Sequence, residues 1–341
     1  MFELEKLVRK NILELKSYSS ARDEFSGKEG IFLDANENPF GELNRYPDPY
    51  QKELKSALSK VKGVSEQNIF IGNGSDEVID LVYRVFCNPG IDKALSFTPT
   101  YGMYEVSANI NDVAYIKLPL NEYFQIDKES LTPYLKDEKL KVIFVCSPNN
   151  PTGNVLSDIE FVLENFSGIV VVDEAYADFC SLPSWSQKIN QFPNLIVMQT
   201  FSKARGLAGA RVGIAYASSQ IISLMNKVKP PYNVSALNQQ AALTALMNTA
   251  IYEQQKNEIL KQRTLLETEL SKLNCVKRIY ASDANFILIK VSDANIIYEF
   301  LVSHKIITRN RNTVVRNCIR ITVGTAEENK QLINILKEFK A

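Results

Sequence analysis

A chain of 341 residues is longer than one hydrophobic core usually serves, so two domains are expected. Apolar residues make up 45% and charged residues 23%, the balance of an ordinary globular protein, and the formal net charge is zero. That charge, with no polybasic run, points away from nucleic acid and from an anionic membrane surface as partners. The one histidine, His304 in "LVSHKI", excludes a multi-histidine zinc site and reads most simply as a surface residue. Chemistry must rest on lysine, carboxylates, tyrosine or a cofactor. The cysteines at 87, 146, 180, 275 and 318 are scattered and include no C-x-x-C, as expected of reduced cytosolic thiols.

In chain order, "MFELEKLVRKNILELKSYSS" mixes charges with apolar residues at helical spacing and lacks the unbroken apolar stretch of a secretory signal. No segment is long and apolar enough to cross a bilayer, so a cytoplasmic location is expected. Short apolar runs then recur at 68–72, 93–97, 141–146, 168–173, 195–200 and 212–217. Buried strands separated by amphipathic stretches predict an α/β large domain over 31–235: a mostly parallel sheet flanked by helices, with ligands at the strands' carboxyl ends. The Pro230–Pro231 pair marks an expected hinge. Residues 236–273 read as one or two long helices, and strand-like runs at 285–291, 305–310 and 318–324 follow. They predict a smaller α+β domain over 236–341.

The strand ends carry the chemistry. After 68–72 comes "NGSDEVIDLVYRVF", with apolar residues 78, 79, 82, 85 and 86 on one helical face and Ser75 or Asp76 suited to the cap. A glycine-flanked turn opening a helix is a phosphate site or an ordinary capped helix. After 141–146, "SPNNPTGN" fixes a turn that presents Asn150. After 168–172, Asp173 ends an apolar strand and Tyr176 follows; the carboxylate is a helix cap or the partner of a buried cation. After 195–200 come Thr200, Ser202, Lys203 and, eight residues on, Arg211. An amine between core strands is costly unless something pairs with it or consumes its charge. Pyridoxal phosphate needs this set: amides, hydroxyls and an arginine for its phosphate, a carboxylate for its ring nitrogen, a lysine for its aldehyde.

"SPNNPTG", "DEAYADF" and "FSKARGLAGARVG" resemble the fold-type-I, class-II-like pyridoxal-phosphate aminotransferases. "YSSAR", "LDANENPFG", "NRYPDP", "GNGSDEVID", "TPTYGMY", "KPPYNV" and "IRITVGT" look like the histidinol-phosphate aminotransferases within them, in register along nearly the whole chain. The resemblance implies that Lys203 forms the Schiff base, that Asp173 pairs with the ring nitrogen, and that Asn150 and Tyr176 bond the ring oxygen. It implies that Tyr101 stacks on the ring. Ser75 and Asp76 through backbone amides, with Thr200, Ser202 and Arg211, hold the phosphate. Tyr46 reaches that phosphate from the other subunit of a homodimer. Arg320 takes the donor carboxylate, and Arg309 and Tyr18 contact substrate, Arg309 through its phosphate. Asn36 lines the pocket or only shapes its turn. Residues 1–30 form an arm contributing to the small domain and to dimer contacts. No metal is implied. The implied reaction is ping-pong transamination between glutamate or 2-oxoglutarate and histidinol phosphate or imidazole-acetol phosphate. A phosphothreonine decarboxylase, a broad aromatic aminotransferase and, least of all, a non-catalytic cofactor-binding regulator are the competing readings.

Overall fold

Unbroken Val, Ile and Leu runs are stable as strands when both sheet faces are covered, and the computed structural model, which describes residues 3–18 and 30–339, arranges them so. The order is α1 (Lys10–Glu14), α2 (Lys52–Lys62), β1 (Ile69–Asn73), α3 (Ser75–Phe86), β2 (Lys93–Thr98), α4 (Met103–Ile110), β3 (Ala114–Pro119) and α5 (Lys128–Leu131). There follow β4 (Leu140–Cys146), α6 (Ile159–Asn165), β5 (Ile169–Asp173), β6 (Leu195–Thr200), β7 (Val212–Tyr216), α7 (Ser219–Val228) and α8 (Ala236–Met247). The seven strands form one sheet in the order β1-β7-β6-β5-β4-β2-β3. β7 runs antiparallel to both its neighbours, while the remaining pairs are parallel. That reversal places the start of β7, and Arg211 just before it, at the edge where β1 and β6 end, because Val212 lies opposite Asn73 and Gly213 opposite Thr200.

Alternate residues of each strand face opposite layers. Val170, Val172 and Val197 pack with Leu54 and Leu58 of α2 on one face. Ile169, Val171, Ile196 and Met198 pack with Val78, Ile79 and Val82 of α3 and with Ile221 and Met225 of α7 on the other. Val8 and Ile12 join this second cluster, and the Arg9 N–H donates to the Val85 carbonyl at 3.0 Å. The described part of the expected arm thus packs on the large domain, not the small one; residues 1, 2 and 19–29 lie outside the described residues. No helix among the described residues is long and apolar enough to cross a membrane.

The small domain holds α9 (Thr249–Leu270), β8 (Val276–Ile279), β9 (Phe286–Val291), α10 (Ala294–Ser303), β10 (Arg309–Asn310), β11 (Cys318–Thr322) and α11 (Ala326–Glu338). Its four strands are antiparallel, in the order β10-β11-β9-β8. A capping box between Thr325 and Glu328 opens α11. The expected boundary at residue 236 falls before α8, yet Ala242, Leu243 and Leu246 of α8 belong to the large sheet's core. Leu266 and Leu270 of α9 belong to the small one, so we place the division within α9. The composition shift at 236 marks the start of a helix rather than of a domain. Tyr176, Phe179 and Ala204 pack with Ala284 and Phe286 of the small domain, joining the two cores beside the strand ends.

Candidate active site

The turn between β1 and α3 is set by two glycines. Gly74, at φ 79° and ψ 166°, is the N-cap of α3, where the sequence pointed to Ser75 or Asp76. That backbone conformation suits glycine alone. No side chain caps the first turn of α3, so its amides are available to an anion. A Cβ on Gly213 would stand 2.3 Å from the Gly74 carbonyl carbon and the Ser75 nitrogen; glycine there lets β7 pass directly against the turn. Arg211 holds a left-handed φ of 51°, a costly conformation for a non-glycine residue. Its Nη2 lies 3.3 Å from Asp76 Oδ2. The Asp76 carboxylate also accepts from the Tyr101 hydroxyl at 3.1 Å. Thr200 Oγ1 donates to Ser202 Oγ at 3.0 Å and accepts from the Ser202 N–H at 3.1 Å.

Asp173 is 3% exposed. It accepts from the Tyr104 hydroxyl at 2.5 Å and from the Ala175 N–H at 3.0 Å. Burial pushes its carboxyl up to about 6, against the pull of those two hydrogen bonds. Tyr104, fully buried and stacked on Phe144 at 4.7 Å, was not singled out by sequence. Nothing in "TPTYGMY" separates a phenol aimed at a carboxylate from a core tyrosine.

Lys203 stands where the chain leaves β6, its Nζ 5.6 Å from the Tyr176 ring centroid. Burial and the neighbouring Arg320 hold its amine below the ordinary lysine range, with Asp173 pulling the other way. A depressed amine is more often neutral, as a nucleophile or base must be. Lys203 lines a cavity of about 1080 Å³ together with Tyr101, Asn150, Tyr176, Arg309 and Arg320. Asn150 Nδ2 donates to the Tyr176 hydroxyl at 3.3 Å, Arg320 Nη1 donates to Asn150 Oδ1, and the Arg320 guanidinium lies 5.2 Å from the Phe286 ring centroid. Arg309 pairs directly across β10 and β11 with Arg320. Arg311 lines the same cavity and was missed; its signal was the "RNR" spacing, which puts two arginines on one strand face.

Ser75, Asp76, Asp173, Thr200, Ser202 and Arg211 are not among the residues that line this cavity, and three further expected residues border other cavities. Asn36 and Tyr46 line a second cavity of about 470 Å³ with Ser235 and Leu237. Asn36 has φ 51°, the left-handed turn conformation that asparagine tolerates; of its two expected roles, this geometry matches the turn. Tyr46 stacks on Tyr232 at 4.4 Å. Tyr18, 68% exposed, borders a small cleft with Tyr50, Lys229 and Tyr232. It does not line the Lys203 cavity, and the rest of its motif, residues 19–22, lies outside the described residues.

The residues at the strand ends fit pyridoxal phosphate. The cradle beside Gly74, which a Cβ would crowd to 2.7 Å from Arg211 Nη2, offers helix amides and a guanidinium. Asp173 is a buried carboxylate with no ion pair among the described residues, free to take a pyridinium N–H. Lys203 lines the cavity beside them, close enough for the charges of Asp173, Arg211 and Asp76 to act on its depressed amine.

The family described as "Aminotransferase class I and II" matches residues 27–336. The chain is 52% identical to the histidinol-phosphate aminotransferase of Cytophaga hutchinsonii over 347 aligned residues, 99% of each protein. It is 51% identical to that of Parabacteroides distasonis, over 100% of both. Its fold matches the crystal structure of histidinol-phosphate aminotransferase from Sinorhizobium meliloti in complex with pyridoxal-5'-phosphate. That match has a TM-score of 0.78 and 22% identity, covering 97% of this chain and 96% of that one.

Proposed function

We propose, for a chain that belongs to the aminotransferase class I and II family, that it transfers an amino group between L-glutamate and imidazole-acetol phosphate, giving 2-oxoglutarate and L-histidinol phosphate in histidine biosynthesis. Its cofactor is pyridoxal 5'-phosphate. The observation that carries this reading is one cavity that holds both Lys203 and the arginine pair of the small sheet, in a chain half identical to histidinol-phosphate aminotransferases over their full length.

The bound cofactor supplies an aldehyde that receives the amino group and a ring that delocalises the electron pair left at the donor's α-carbon. The chain's own residues do the rest. Asp173 accepts the ring N–H and keeps that nitrogen protonated, while Tyr104 holds the carboxylate in place. The α3 amides, Thr200, Ser202 and Arg211 anchor the phosphate. Asn150 and Tyr176 orient the ring oxygen. Lys203 Nζ, neutral often enough because its affinity for protons is depressed, would take the proton from the donor's α-carbon and deliver it to the carbon that carried the aldehyde. Arg320, tethered through Asn150 and backed by Phe286, grips the donor carboxylate. Arg309 takes the phosphate end of the other substrate. A guanidinium fork matches carboxylate and phosphate alike, which lets one cavity serve two unlike donors.

A panel of amino donors with 2-oxoglutarate tests the assignment. Histidinol phosphate should exceed phenylalanine and tyrosine by at least about tenfold in kcat/KM, on the order of 1.4 kcal/mol. Carbon dioxide release from phosphothreonine without glutamate formation would instead make the enzyme a decarboxylase.

A homodimer completes this reading. Ile31, Leu33 and Phe40 are 91%, 88% and 82% exposed, an apolar surface that needs a partner. Tyr46, on the same segment, then serves the partner's phosphate site. Mixing Lys203→Ala and Tyr46→Ala subunits should restore activity at one site per heterodimer; heterodimers with none would mean that Tyr46 acts in its own subunit or not at all. The five cysteines, all free and four of them buried, suit a reducing cytoplasm.

A further inference from the structure

We infer that Arg311 is the residue by which this enzyme selects a phosphorylated donor, binding the substrate's phosphate while Arg320 serves the carboxylate of glutamate. The inference rests on the proposed reading of the cavity and adds a residue that neither the sequence motifs nor the comparisons assign. The first support is placement. Arg309 lies opposite Arg320 in the β10–β11 ladder. The Arg311 N–H donates to the Cys318 carbonyl at 2.9 Å, so the pairing continues one step beyond β10. Residues two apart on such a strand share a face. Arg311 therefore follows Arg309 along one edge of the small sheet, and all three arginines line the cavity that holds Lys203.

The second support is an unmet donor. Arg311 Nε is buried and has no hydrogen-bond partner, and no carboxylate among the described residues forms an ion pair with its guanidinium. Arg320 Nε is buried and unpartnered too, but its Nη1 is committed to Asn150. A buried donor without an acceptor is costly. The neighbours make it worse: burial, then Arg320 and Arg309, all act against the charge on Arg311. Glu105, on the cavity wall, is engaged by Lys117 at 2.7 Å. A dianion with several acceptor oxygens would relieve this cost, and a substrate phosphate is such a group. A single carboxylate supplies half the charge and is already provided for by Arg320. Flanking guanidiniums at 309 and 311 would read a phosphate from two sides, so the loss of Arg311 should fall on phosphorylated donors first.

The test compares wild type, Arg311→Gln and Arg311→Lys as holoenzymes. Arg311→Gln should lower kcat/KM for histidinol phosphate by about ten- to a hundredfold, the loss of one charge-assisted contact. It should act mainly through KM, change the glutamate half-reaction by less than about threefold, and shrink the preference for histidinol phosphate over histidinol by the same factor. Arg311→Lys should recover part of that preference. If Arg311→Gln folds poorly, the lysine variant's reduced preference carries the test, since it keeps the charge and loses only the fork. Equal losses on all donors would make Arg311 structural, and an unchanged preference would remove it from the site. Inorganic phosphate provides an independent arm. It should compete with glutamate on the wild-type holoenzyme, and about tenfold more should be needed on Arg311→Gln. If the wild type turns over no phosphorylated amine, the proposed reaction fails. The phosphate competition then still decides Arg311: identical inhibition of both proteins overturns the inference.

Discussion

The strand ends of the large sheet and the arginine edge of the small sheet are built on opposite plans. At the strand ends of the large sheet, polar groups are held by other polar groups: Asp76 by Arg211 and Tyr101, Asp173 by Tyr104 and the Ala175 amide, Thr200 by Ser202. At the small-sheet edge, Arg309 and Arg311 have no ion pair among the described residues, and Arg320 keeps only its bond to Asn150. The first side is organised before anything binds, as a resident cofactor requires. The second side is held short of acceptors, an arrangement that suits the proposed exchange of one substrate for another. Substitutions on the first side should therefore reach cofactor retention and stability; those on the second should reach substrate selection and leave the fold alone.

Lys203 stands between them and gives the sharpest break. Lys203→Ala should lower turnover by on the order of 10³ or more, read as the single-turnover rate with glutamate. Apoprotein stability should hold or rise slightly, because a partly desolvated amine is removed. Near-normal transamination would dismiss Lys203 as the reacting amine. Next in size is Gly213→Ala. The added Cβ would meet backbone atoms of Gly74 and Ser75 at 2.3 Å, and backbone cannot swing aside as a side chain can. Unfolding free energy should drop by about 1–3 kcal/mol or more, with cofactor retention lost alongside. Arg309→Ala, on the exposed edge, should stay within about 0.5 kcal/mol of wild type in the same denaturation experiment. Comparable losses in the two variants would erase the contrast.

That contrast also explains what sequence could convey. Asp173 and Lys203 follow apolar runs, and a strand buried on both faces tells where its carboxyl end lies, so their places at the sheet edge are legible in the sequence; Arg211, just before β7, is reached only through its spacing from Lys203. The reversal of β7 was not, since antiparallel and parallel buried strands share one composition. Gly74 is not the cap that composition favours, since Ser and Asp are commoner there, and its use rests on a backbone angle that no neighbouring residue announces. Tyr104 and Arg311 depend on which way a helix or an edge strand turns its side chains. Tyr18, Asn36 and Tyr46 rest on motif alone, and motif does not place them: Asn36 and Tyr46 line the second cavity and Tyr18 the small cleft, while none lines the Lys203 cavity.

Asp173 offers a test whose sign depends on the cofactor. Its folded-state pKa is raised from 3.8 to about 6, so the folded apoprotein binds that proton more tightly than the unfolded chain does. The associated stability is fully present below about pH 4 and is lost as pH rises through 6, on the order of 3 kcal/mol in all. Apo Asp173→Asn should match the wild type near pH 4 and exceed it by about 1–3 kcal/mol at pH 8. With cofactor present the order should invert, because the variant no longer offers the ring nitrogen a charged acceptor. A variant less stable than wild type at pH 8 without cofactor would mean that another group compensates Asp173.

A smaller loss on the strand-end side isolates Tyr104. Its hydroxyl donates to Asp173 Oδ2, and that bond favours the ionised carboxylate. Tyr104→Phe keeps the ring against Phe144 and removes only the donor. The Asp173 pKa should then move further above 6, so ionising the carboxyl costs more and the pH-dependent loss of stability runs deeper. At pH 8 the apoprotein should lose about 1 kcal/mol relative to wild type. Near pH 4, where Asp173 is protonated in both proteins, the difference should be smaller. Chemical denaturation at the two pH values measures this directly. The double variant Tyr104→Phe/Asp173→Asn removes the titrating group, so its difference from Asp173→Asn alone should no longer widen with pH. A gap between wild type and Tyr104→Phe that is the same at both pH values would reduce Tyr104 to a packing residue, and the strand-end side would lose one of the bonds that set it apart from the arginine edge.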